Sequence, residues 1–162
     1  MKTIPGWIVL FSLLACEPAS ESVDYLRQSK YLLHRAGYYP VRGDVVFTEL
    51  EPGKLEVVIT LENTEEKYDF PAHLHFGSIN EVGELAFKLE DVVGTTGKSV
   101  TILDQVPLST GEILTYDLLR QMNGSIKIHL ADGMFSNIVL SYGNIGINQN
   151  YITDGVTICV GH

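Results

Sequence analysis

The most constraining feature of this chain is the run at residues 54–62, Lys-Leu-Glu-Val-Val-Ile-Thr-Leu-Glu. It places Leu55, Val57, Ile59 and Leu61 on one face, and Glu56, Thr60 and Glu62 with Val58 on the other. Side chains on a strand alternate between faces, so such a run is a strand with one wet face, and its apolar face requires a second layer to cover it. A lone hairpin cannot supply that layer, so the chain has to build more strands around it.

The rest of the sequence supplies them. Short β-rich runs at 41–50, 70–76, 84–90, 98–103, 125–130, 136–142 and 156–160 are separated by Gly, Pro and Asn. This spacing predicts a sandwich or barrel. Glu51-Pro52-Gly53-Lys54 reads as the turn of a hairpin joining the 41–50 run to the 54–62 strand. Residues 115–122 read as a short helix capped by Thr115 and stopped by Asn123-Gly124. Residues 17–40 read as a tether and then a short helix. Ser22 would cap it, Val23, Leu26, Lys30 and Leu33 fall at near-helical spacing, and Gly37 would close it. The expected fold is therefore all-β with a short N-terminal helix, and the expected division is a leader at 1–15, a tether and helix at 16–39 and a β-sandwich domain at 40–162.

The 162 residues are 45% hydrophobic and 19% charged, which suits one globular domain with a sizeable core. A net charge of −9 without a basic stripe excludes nucleic acid as a partner, because nothing is available to neutralise phosphates. No nucleophile elbow, phosphate loop or cluster of zinc-ligand cysteines is present in the sequence.

Met1-Lys2-Thr3, an apolar run over 4–15 and then Cys16 describe a secretory signal too short to span a bilayer. Leu13-Leu14-Ala15-Cys16 resembles a bacterial lipobox, which implies cleavage before Cys16 and acylation of that cysteine. The expected location is the bacterial cell envelope, with the domain held at a membrane through its lipid alone and facing the periplasm or exterior. An ordinary signal with a chance cysteine is the alternative. Cys159 is then without a disulfide partner and reads as a small buried hydrophobe, or else as a soft ligand beside His162.

Three of the five histidines lie in predicted strands. In 70–76, Phe70, Ala72, Leu74 and Phe76 share one face, leaving His73 and His75 on the other, about 7 Å apart along the strand. In 125–130, Ile126, Ile128 and Leu130 share a face, and Lys127 and His129 lie opposite. Imidazole nitrogens suit copper and zinc, and a His-x-His pair plus a histidine from another strand offers three ligands on rigid backbone. The plainer reading of the same spacing is a polar, solvated sheet face that contains histidine. His34, on the early helix, and the carboxylates Glu62, Glu65, Glu66 and Asp69 read as solvated groups.

These segments resemble the copper/zinc superoxide dismutase family. Residues 40–47 (Pro-Val-Arg-Gly-Asp-Val-Val-Phe) are similar to its first strand, and 72–77 (Ala-His-Leu-His-Phe-Gly) to its copper-binding His-x-His strand. Residues 123–129 followed by Ala131-Asp132-Gly133 are similar to the strand with its last copper histidine, and 143–149 to its closing segment. The resemblance implies a Greek-key β-sandwich or barrel, with copper on His73, His75 and His129.

The chain also departs from that family. Few residues separate Gly77 from Glu84 where the family carries its bridging histidine, zinc histidines and a cysteine, so the resemblance does not extend to zinc; Glu84 stands near the place of the zinc aspartate. Val139 stands at the family's anion-steering arginine and Tyr142 at its disulfide cysteine. The resemblance therefore implies copper binding with weak superoxide dismutation at most. A second resemblance is to chordin-type repeat domains, which pair a His-x-His strand with a helix, a Gly turn and a later strand histidine, as 113–129 does here. It implies the rival function, a metal-free β-sandwich interaction module with a protein partner.

Overall fold

The computed structural model of the protein describes residues 26–64 and 67–150. The leader, Cys16, Cys159, His162 and the run at 156–160 lie outside the described residues. Among those described, no helix is long and apolar enough to cross a membrane.

The fold is all-β, as expected. Eight antiparallel strands form one curled sheet, a half-barrel: β1 (Gln28–Arg35), β2 (Arg42–Glu51), β3 (Lys54–Glu62), β4 (Ala72–Phe76), β5 (Leu85–Lys88), β6 (Lys98–Asp104), β7 (Asn123–His129) and β8 (Val139–Gly146). Their order is β5-β4-β7-β8-β1-β2-β3-β6, with Greek-key crossovers placing β6 beside β3 and β7 beside β4. The alternation in β3 has the expected consequence: Leu55, Val57, Ile59 and Leu61 are buried, and they share one core with Leu74, Ile126, Ile128 and Ile145 from the other half of the sheet.

The sheet is open between β5 and β6, and residues 89–97 seal the gap. Leu89 N–H donates to the Ala72 carbonyl and Phe70 bridges Val92 on one side; Glu90 N–H donates to Thr101 Oγ1 and Ser99 Oγ to the Glu90 carbonyl on the other. Leu89 and Val92 are buried in the shared core.

The hairpin at 51–54 forms as predicted, with Glu51 opposite Lys54 and Gly53 at φ +80°. The short helix also forms, as α1 (Tyr116–Gln121), and Thr115 Oγ1 accepts from Leu118 N–H as its N-cap. Arg27 anchors it, pairing with Glu49 and Asp117 while its guanidinium lies 4.8 Å over the Tyr116 ring.

The predicted N-terminal helix is corrected. Residues 28–35 are β1, which alternates Tyr31 and Leu33 into the core with Leu32 and His34 exposed. Over 28–33 it pairs with β2, and over 34–35 with β8. Two halves of a sheet that would each end in unpaired backbone are joined by this strand, and that pairing outweighs a weak local helical pattern. The folded unit thus begins before residue 40.

Candidate metal centre

β4 and β7 lie side by side, with Ala72 opposite Ile128 and Leu74 opposite Ile126, and these four side chains enter the core. Alternation then puts His73, His75, Lys127 and His129 on the reverse face, as the sequence predicts. What the sequence did not indicate is that this face is also buried. His75 is 5% exposed, His129 1% and Lys127 0%; His73 is half-buried. The solvated-face reading is therefore overturned.

The cover comes from two connections. Residues 77–84 fold back over β4, where Ile79 packs with Ala36, Val139 and Tyr142 in a second small apolar cluster, and Ile79 N–H donates to Asn144 Oδ1. The segment after β7 is tied down by Leu130 N–H to the Ile138 carbonyl and by an Asp132–Lys88 ion pair at 3.1 Å.

The structure brings the three predicted histidines together. Their ligand atoms all lie within 4.8 Å of one another, and ring centroids are 4.7 Å apart for His73–His129, 5.9 Å for His73–His75 and 6.2 Å for His75–His129. Two nitrogens each about 2.0–2.1 Å from one ion lie roughly 3.4–3.6 Å apart in tetrahedral or trigonal geometry, so the widest separation in the trio needs to contract by about 1 Å to hold one.

The electrostatics suit ligation. Burial pushes His129 down to about 4, with the neighbouring His73 acting in the same direction and the Ser136 backbone opposing. Burial also lowers His73, as does the positive charge of Lys88, while Asp132 and Asp91 partly compensate. Both rings are therefore neutral at pH 7, with a lone pair to donate. His75 Nδ1 lies 3.1 Å from the Gly83 carbonyl oxygen, which can only accept, so Nδ1 carries the proton and Nε2 is the nitrogen that bears the basic lone pair. Although both are buried, neither ring nitrogen of His129 makes a well-formed hydrogen bond among the described residues; the Ser136 backbone approaches the ring without completing one. Such a group costs about 1–3 kcal/mol, and a bound ion is one of the few things that relieves it. The cluster can thus hold a metal ion.

Other predicted positions stand apart from the trio. Glu84 is exposed and contributes its carbonyl to Phe76 N–H. His34 is exposed, as expected, but on a strand. Val139 is buried opposite His129, so no arginine-like cation occupies that place. Lys127, opposite both His73 and Tyr142, is the buried cation on this face, where the exposed Lys88 also stands opposite His73, and the Lys127 charge acts on His129. Its position beside His129 was visible in the sequence, but its burial was not. Gly83 was also missed, although a glycine in a short connection beside a His-x-His strand is a signal of close backbone approach.

Comparison of the chain with family models, with curated proteins and with solved structures finds no match.

Proposed function

We propose that this chain is an exported, lipid-anchored domain that binds copper through His73, His75 and His129, a divergent member of the superoxide dismutase type. The observation that carries the reading is His129, a neutral imidazole buried without a well-formed hydrogen bond to either nitrogen among the described residues, beside two further histidines. Donor chemistry favours copper. Imidazole accommodates several first-row ions, and among the divalent ones copper binds most tightly at a given nitrogen site. The eight-stranded Greek-key order and the correspondence of the 40–47, 72–77, 123–129 and 143–149 segments support the family reading.

When bound, copper supplies one-electron redox chemistry. The chain's own residues orient and shield it: the Gly83 carbonyl holds the His75 tautomer, β4 and β7 set the spacing, and residues 77–84 exclude water from His75. The acidic net charge of −9 limits attraction of an anionic substrate, so any dismutation is weak.

The test is copper affinity of the purified protein, measured by competition against a calibrated chelator, beside a His73→Ala/His129→Ala variant. One-to-one binding that the variant loses supports the proposal. Weak binding equal in both overturns it and favours the metal-free interaction module that resembles chordin-type repeats.

A further inference from the structure

A cleft of about 560 Å³ opens at the end of the sheet where β4 begins and β7 ends, between residues 68–71 and 130–135. That volume is in the range of small-molecule sites. Its walls include Tyr68, Leu130 and Phe135, and the two aromatic residues are unusually uncovered, Tyr68 at 74% and Phe135 at 50% exposure.

Its charge is one-sided. Asp69, Asp91 and Asp132 all line it. The cation beside them is Lys88, whose ammonium lies 3.1 Å from Asp132 and 4.0 Å from Asp91. Asp69 accepts a backbone hydrogen bond from Gly94, which leaves its charge in place. Three carboxylates against one ammonium leave the cleft with an excess of two negative charges. Apolar and aromatic surface next to uncompensated carboxylate attracts a positive head on an apolar body, through the carboxylates and through the negative faces of the rings.

We propose that this cleft binds small organic ammonium ions carrying an aromatic or apolar body. The site is separate from the histidine trio and does not depend on a metal there, although Asp91 and Asp132 also act on His73. The carboxylates reject anions of the same shape, so the cleft discriminates by charge sign.

Two probes of one shape separate this from plain hydrophobic binding: tyramine, a cation, and 3-(4-hydroxyphenyl)propanoate, an anion. Both are titrated calorimetrically into the full chain. Tyramine is expected to bind about tenfold tighter or more, a difference that Asp91→Asn/Asp132→Asn brings close to one, because Asp69 and Lys88 then cancel. Phe135→Ala weakens both probes. His73→Ala/His129→Ala leaves the ratio unchanged, so failure of the metal reading would not be mistaken for failure of this one. Equal affinity for the two probes, no tyramine binding, or a ratio that survives the double Asn variant overturns the proposal. If that variant does not fold, raising salt on the unaltered chain to about 0.5 M replaces it: the ratio must shrink by screening, and a constant ratio overturns the proposal.

Discussion

The ring nitrogen Nδ1 of His75 and the carbonyl oxygen of Gly83 lie 3.1 Å apart, joining the second histidine of the strand pair to the connection that folds back over it. A Cβ at residue 83 would sit 1.7 Å from the Phe76 carbonyl oxygen, so only glycine allows the carbonyl to come this close. Gly83→Ala is therefore expected to destabilise the protein by about 1–3 kcal/mol through overpacking, and to weaken metal affinity about tenfold or more by releasing the His75 tautomer. Urea unfolding and chelator competition check the two effects. Unchanged affinity would mean that the carbonyl does not orient the ring.

His129→Leu should separate stability from binding. The substitution replaces two buried nitrogens that make no well-formed hydrogen bond among the described residues with apolar atoms of similar bulk. The metal-free protein is expected to gain about 1–2 kcal/mol while losing metal binding. A loss of stability of that size in urea unfolding would show that His129 has partners the geometry does not reveal.

Stability of the metal-free protein should depend on pH in a defined window. His129 protonates near pH 4 in the folded chain and near 6.5 when unfolded. Between these values the unfolded state holds the extra proton, so stability is complete above pH 6.5 and falls as pH is lowered towards 4. The contribution is on the order of 3 kcal/mol, and His73, also lowered, acts in the same direction. Urea midpoints across the window should fall for the unaltered protein and show a much smaller slope for His129→Leu. Equal slopes would assign the dependence to other groups.

Metal should stabilise the folded state by mass action. With free copper about 100-fold above its dissociation constant, the expected gain is about 2.7 kcal/mol. Thermal unfolding with and without the ion measures it. The His73→Ala/His129→Ala variant should show no gain, and a gain in both proteins would place the binding elsewhere.

Much of this was legible locally. The β3 bounds, the Pro52-Gly53 hairpin and the Thr115 cap all follow from periodicity and turn chemistry, which a few neighbouring residues decide. The same alternation placed His73, His75 and His129 opposite Leu74 and Ile128. β1 was misread because its apolar residues satisfy a helical spacing as well as an alternating one, and only pairing with β2 and β8 chooses between them.

By itself, then, the sequence determined the all-β class and the face each histidine takes, because side-chain alternation is a property of the strand alone. The tertiary structure decided that β4 and β7 are neighbours, that His73 and His129 stack at 4.7 Å, and that residues 77–84 and 130–138 enclose that face. Those outcomes depend on contacts between residues far apart in the chain. Burial also sets the chemistry: the imidazole that would be a solvated base on an open sheet is here a neutral one with its single basic lone pair available.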